Sequence, residues 1–266
     1  MKRITSRQNP LVARYRAVSR GAERDLILLD GPHLIADADA AGLRIRHALV
    51  AAGAIERPDL RALVARLEAA GVDVASATGP VMAAASPVRS SSPIVALAER
   101  PAPLEDRLFA DPSPLVVIAC DVQDPGNVGA IARVAEAGGA SGMIAAGECA
   151  DPFGWKALRG SMGSALRLPI AVRPSLDQAV RDARQGRCRV IATVPRNGQS
   201  LFDADLRGPV AILVGGEGRG LPAAVADEAD QRVTIPMRSP VESLNAAVTA
   251  ALLVYEARRR RLGTER

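Results

Sequence analysis

Leu115-Val116-Val117-Ile118-Ala119-Cys120-Asp121-Val122-Gln123-Asp124-Pro125-Gly126-Asn127-Val128-Gly129 decides how the rest of the chain is read. A short apolar run meets a polar loop rich in Asp, Pro and Gly, and the pattern then turns helical over 128–137. A continuous apolar run of strand length marks a strand buried on both faces, and the helix after it marks one step of a parallel α/β sheet. The step recurs downstream. Strands are expected at 143–146, 170–172, 189–194, 210–214 and 232–235, with helices at 154–161, 176–185, 222–228 and 244–261. This is the pattern of a mostly parallel sheet covered by helices on both faces.

Upstream, Arg100-Pro101-Ala102-Pro103-Leu104-Glu105-Asp106 and Asp111-Pro112-Ser113-Pro114 carry four prolines. Proline blocks helices and sheet ladders, so 100–113 reads as a linker between a domain of residues 1–99 and one of 114–266. The first part alternates short strands (26–29, 45–50, 72–75, 94–98) with helices (33–41, 58–70), which implies a smaller α/β layer fold. With aromatics at only 2%, Val, Leu, Ile and Ala must fill both cores.

No apolar run reaches bilayer length and the opening Met1-Lys2-Arg3 is polar, so a cytoplasmic location is expected. Three separated cysteines without a CxxC pair, and only two histidines, argue against a disulfide framework and a metal centre. Cys120 reads as a small core residue rather than a nucleophile. The net charge of +5 is modest, but Lys2, Arg3, Arg7, Arg14, Arg16, Arg20 and Arg24 face Glu23 alone at one end, and Arg258–Arg261 close the last helix. Such arginine clusters permit a phosphate-rich partner and equally fit a solvated face.

Functional groups of open α/β sheets gather at the carboxyl ends of strands. The loop after Leu115–Cys120 lacks the GxGxxG of a dinucleotide site, its glycines standing at 126, 129, 138 and 139. Asn127 is placed to cap the helix, and Arg133 follows one and a half turns later. Leu213-Val214-Gly215-Gly216-Glu217-Gly218-Arg219-Gly220-Leu221-Pro222 sets four glycines in six residues, which lets backbone approach a ligand. It lacks the Lys-Ser/Thr ending of a phosphate loop, and Glu217 repels phosphate, so a neutral or cationic ligand suits it better. In the loop 235–245, Ser243 is the expected N-cap, and Asn245, a poor helix former just inside the helix, reads as part of a pocket rim.

In this order and spacing, the three loops resemble the three motifs of the SpoU-type RNA 2′-O-ribose methyltransferases of the trefoil-knot superfamily. The likeness rests on Asp124-Pro125-Gly126-Asn127-Val128-Gly129 with Arg133, on Val214-Gly215-Gly216-Glu217-Gly218 with Gly220, and on Ile235-Pro236-Met237 through Ser243-Leu244-Asn245. Lys156-Ala157-Leu158-Arg159-Gly160-Ser161-Met162-Gly163 matches the family's run after the second strand, and the resemblance covers 114–262. Ile4-Thr5-Ser6, Asn9-Pro10 and Leu29-Asp30-Gly31-Pro32-His33 resemble the RNA substrate-binding domain of the ribosomal-RNA members. Two departures stand out. Asp30 replaces the more usual Glu, and Gly216 replaces a common Asn or Ser, so one polar contact of the pocket wall is expected to be missing.

The resemblance implies an α/β fold whose carboxyl-terminal sheet carries a deep trefoil knot. It implies S-adenosylmethionine as cofactor, held by Thr193, Gly215, Gly216, Gly220, Ile235, Met237 and Leu244. It makes Arg133 the central catalytic residue, with Asn127, Glu217, Ser243 and Asn245 around it. A guanidinium with a pKa above about 12 is an awkward base, so Arg133 either loses its proton with help from the pocket and a substrate phosphate or acts by positioning and charge. The implied partners are RNA, above all large-subunit ribosomal RNA, and a second copy of the chain, with no metal and no membrane. Leu244, Val248, Ala251, Leu252 and Tyr255 form a helical stripe that has to be buried, on its own sheet or against another subunit. Three alternatives remain: tRNA methylation, RNA binding without catalysis, and a nicotinamide oxidoreductase, against which the missing GxGxxG counts strongly.

Overall fold

A computed structural model describes residues 1–88 and 90–263. They fall into two units, residues 1–102 together with 153–159, and residues 103–152 together with those from 160 on. In the first unit, β1 (Lys2–Ile4), α1 (Pro10–Ser19), β2 (Leu26–Asp30), α2 (Pro32–Ala40), β3 (Ile45–Ala51), α3 (Pro58–Ala69), β4 (Asp73–Ala77), α4 (Gly79–Ala85) and β5 (Ile94–Glu99) follow one another. The strand order is β1-β4-β3-β5-β2, parallel from β1 to β3 and antiparallel beyond. The basic opening is thus an edge strand and a helix. Asn9 caps α1 by accepting from the Leu11 N–H at 2.9 Å, and Pro10 supplies a φ already suited to the first turn. Val12, Tyr15 and Val18 recur at three-residue spacing and are buried, while Arg14 and Arg20 point outward. Asp30 accepts from the Ser86 hydroxyl at 2.7 Å and from that of Ser92, so the carboxylate at this strand end is held by two hydroxyls. From later in the chain, Trp155 packs on the cluster around Tyr15, and the Arg100 guanidinium lies 4.8 Å over the Phe153 ring.

The second unit contains α5 (Glu105–Leu108), β6 (Leu115–Cys120), α6 (Pro125–Ala137), β7 (Gly142–Ala146), α7 (Trp155–Ser161, its first residues counted with the first unit), α8 (Ser164–Arg167), β8 (Ile170–Arg173), α9 (Leu176–Gln185), β9 (Arg189–Thr193), β10 (Gln199–Ser200), β11 (Val210–Gly215), α10 (Ala223–Asp227), β12 (Gln231–Thr234) and α11 (Ala246–Leu262). Its seven strands are all parallel, in the order β10-β12-β9-β11-β6-β7-β8. One face of β6, Val116, Ile118 and Cys120, joins the core under α9, whereas α6 and α11 cover the other face. Burial pushes the Cys120 thiol far up, which keeps it protonated and fits its core role. The stretch expected to be only linker holds α5, pinned by the buried Leu108 and by Glu105, which accepts from Arg173 at 2.7 Å.

β12 takes the slot between β9 and β10, two strands joined only by residues 194–198. That link is stitched to the strand: the Val194 N–H donates to Val233 O and the Gly198 N–H to Thr234 Oγ1, both at 2.9 Å. A Cβ on Gly198 would lie 2.9 Å from the Val233 carbonyl carbon, so only glycine permits so close a crossing.

α11 turns Ala246, Ala247, Ala250, Leu253, Val254 and Ala257 inward. Of the stripe expected to be buried on its own sheet or against another subunit, Val248, Leu252 and Tyr255 are exposed within the single chain, so the sheet does not cover them. The small alanines let α11 lie close against α6, where larger residues would hold the helices apart. Nor are the terminal arginines simply a solvated face. Arg261 is half-buried and donates to the carbonyls of Ser113 and Gly208, each at 2.6 Å, and of Pro114 at 3.4 Å. Arg261→Met keeps the apolar stem and strands those acceptors. It is expected to lower stability by about 2–3 kcal/mol in urea unfolding, given about 1–3 kcal/mol for each orphaned buried group. An unchanged midpoint would show that the three bonds add nothing over solvation.

Candidate active site

The carboxyl ends of β9, β11 and β12 open into one cavity of about 910 Å³. Its walls come from three loops. Thr193 ends β9, with its hydroxyl donating to Leu213 O at 2.8 Å; Gly215, Gly216 and Gly220 form the turn after β11; Ile235, Met237 and Leu244 follow β12. All seven residues expected to hold a cofactor therefore line the same space. The glycine turn is closed by a bridge between Gly216 and Gly220, with Gly218 and Gly220 at φ of +86° and +63°. A Cβ on Gly216 would stand 2.2 Å from the Asp121 carbonyl oxygen. Backbone thus fills the space that a side chain at this position would need.

Asp124, not Asn127, caps α6, its carboxylate accepting from the Asn127 N–H at 2.8 Å. This leaves the Asn127 amide for other work. Likewise Asn245, rather than Ser243, caps α11, its Oδ1 accepting from Ala247 N at 2.9 Å and Val248 N at 3.3 Å. The cap fixes which end of that amide is oxygen, so its Nδ2 must face outward, and it donates to Asn127 Oδ1 at 3.0 Å. The same logic turns Asn127 Nδ2 toward Glu217, whose Oε1 it meets. Asn245, Asn127 and Glu217, distant in sequence, are one oriented relay across the entrances of two helices. Glu217, Ser243 and Asn245 line the cavity.

Arg133 is not brought in. Six residues beyond Asn127 on α6, it sits roughly 120° round the helix, exposed and outside the cavity walls. Among the described residues it makes no ion pair, and Glu217 and Asn127 bond each other instead of orienting it. Sequence reasoning also missed Arg196, Arg219 and Glu242 on the cavity wall. The Pro195-Arg196-Asn197-Gly198 turn was the available signal for the first of these.

Residues 114–255 match the model of the SpoU rRNA Methylase family. The chain belongs to that family. This SpoU methylase is 30% identical to the 23S rRNA (guanosine(2553)-2′-O)-methyltransferase RlmP of Bacillus subtilis over 97% of its own length and all of the relative's. Among solved structures it resembles the AdoMet-bound SpoU methyltransferase AviRb of Streptomyces viridochromogenes, with a TM-score of 0.87 at 28% identity, covering 96% of this chain and 99% of that one. An AdoMet-bound rRNA methyltransferase of Sinorhizobium meliloti superposes with a TM-score of 0.85 at 31% identity, covering 97% of each. In this SpoU methylase the second and third motif loops line the cavity, and the first is tied to them through Asn127.

Proposed function

We propose that this chain methylates a ribose 2′-hydroxyl of large-subunit ribosomal RNA with S-adenosylmethionine as donor. The observation that carries the reading is the convergence of the second and third motif loops on one cavity, to which Asn127 of the first is tied by the Asn245–Asn127–Glu217 relay. The donor suits these walls. The cavity is of the size that encloses a small molecule, its glycine turn offers bare backbone to a nucleoside, and a carboxylate rather than a phosphate-binding lysine tolerates a cation. When bound, the cofactor supplies an electrophilic methyl on a positively charged sulfur. Thr193, the glycine turn, Ile235, Met237 and Leu244 would hold its adenosyl part largely through main chain. Asn127 and Asn245, each locked by a helix entrance, keep Glu217 in place beside it. The guanidinium of Arg133, exposed and with no ion pair among the described residues, is free to grip a phosphate next to the reacting ribose and to stabilise the charge on the oxygen that takes the methyl from sulfur and gives its proton to water. Transfer of labelled methyl to isolated 23S, 16S and transfer RNA, followed by mapping of the modified ribose, tests the proposal. Label on tRNA alone would overturn the ribosomal assignment, and label on none would remove the enzymatic one.

A second copy of the chain is the partner proposed for the Val248, Leu252 and Tyr255 face, since large apolar side chains 41–51% exposed in one row on a helix mark an association surface. Leu252→Arg is expected to turn a dimer into a monomer in light scattering while leaving the fold intact. A dimer that survives the charge would move the interface elsewhere. No helix among the described residues is long and apolar enough to cross a membrane, and the cytoplasm is the compartment we propose.

A further inference from the structure

Four charged residues line the cavity: Arg196, Glu217, Arg219 and Glu242. Glu217 is engaged by Asn127, and Arg219 stands in the glycine turn with no carboxylate partner among the described residues. Arg196 and Glu242 differ from both. They come from separate loops, the link between β9 and β10 and the segment between β12 and α11, and they pair with each other across the cavity wall. Neither has another side-chain partner among the described residues.

Their pairing is poorly explained as a staple. The two side chains are 69% and 74% exposed, and ion pairs that open to water contribute little to stability. The link that carries Arg196 is already fastened to β12, through the Val194 N–H to Val233 O and the Gly198 N–H to the Thr234 hydroxyl. The charges match a ligand better. The cofactor's amino-acid tail carries a carboxylate and an ammonium on one carbon, a zwitterion that needs one partner of each sign. Arg196 spends one of five N–H groups on Glu242, and a carboxylate can accept from several donors, so both keep capacity for a further partner.

Building on the reading of this cavity as the cofactor site, we infer that Arg196 binds the α-carboxylate of the cofactor's methionyl tail and Glu242 its α-ammonium. The two residues thereby distinguish the full cofactor from nucleosides that lack the tail.

Titration calorimetry of the full chain tests this with S-adenosylhomocysteine, which keeps the tail, and 5′-methylthioadenosine, which lacks it. Arg196→Met and Glu242→Gln are each expected to weaken S-adenosylhomocysteine about tenfold or more, the loss typical of a charge-assisted hydrogen bond. Both should leave 5′-methylthioadenosine within twofold and the melting temperature unchanged. Equal weakening of both ligands would make the pair a latch over the cavity and overturn the assignment, as would no effect on either. Leu244→Arg separates the underlying reading from this one. If it weakens both ligands while the charge variants change neither, the cavity is right and the tail site wrong. If Leu244→Arg also changes neither, the cavity assignment falls and the tail site falls with it.

Discussion

Arg133→Ala is expected to lower methyl transfer about 10²–10³-fold, the usual loss when one donor to a developing oxyanion is removed. Affinity for S-adenosylmethionine should stay within about twofold, because Arg133 lies on α6 outside the walls formed by the three loops. Arg133→Lys keeps the charge and loses the planar fork, so a partial defect is expected if the guanidinium grips phosphate in two places. Single-turnover methylation beside calorimetry measures both quantities. Turnover within a few-fold of the parent would take Arg133 out of the mechanism, and a matching loss of cofactor affinity would place it in the binding site.

Gly215→Ala should act on the opposite quantity. A Cβ there would lie 2.5 Å from the Gly220 carbonyl carbon and 2.6 Å from Leu221 N, both backbone atoms with no side-chain freedom to yield. The bridge between Gly216 and Gly220 would have to open, spoiling the turn that meets the nucleoside. Overpacking of this kind costs roughly 1–3 kcal/mol. If the strain falls on the bound form, affinity should drop about 10–100-fold, with little change in the rate from the saturated enzyme. Gly53→Ala, where a Cβ meets nothing within 4 Å, is the control. Normal affinity in Gly215→Ala would mean that the turn adapts and does not shape the pocket.

The chain announced its strands well and its side-chain roles less well, for a physical reason. Strands such as Leu115–Cys120 and Val210–Gly215 are buried on both faces, so each is an unbroken apolar run visible without knowing its neighbours. Gln199–Ser200 has no such run; it is a strand only because β12 lies beside it. α4 is rich in alanine, with an apolar pattern too short to stand out, and it forms by packing against α1. The motif residues were legible, but their partners were not. Choosing between Asn127 and Asp124 as cap, or Ser243 and Asn245, turns on a shift of two or three residues that propensity does not resolve. Once the caps are known, the relay from Asn245 to Glu217 follows. The stripe that α11 buries within the chain is carried by small alanines, which a search for large apolar residues passes over, while the larger Val248, Leu252 and Tyr255 face outward.

The slot occupied by β12 has a consequence for how the protein is made. Both of its neighbours, β9 and β10, leave the ribosome first, so a growing chain holds a sheet interrupted inside rather than frayed at its rim. The bare edges of that gap offer unpaired N–H and C=O groups to any other strand, and distant parallel pairings close slowly. Because the cavity walls lie at the ends of β9, β11 and β12, the last strand to dock also completes the pocket. Ligand that binds only the finished site draws the equilibrium toward it. A cell rich in S-adenosylmethionine would thereby shield newly made chains from aggregation and proteolysis, and a starved cell would lose them before any RNA was touched.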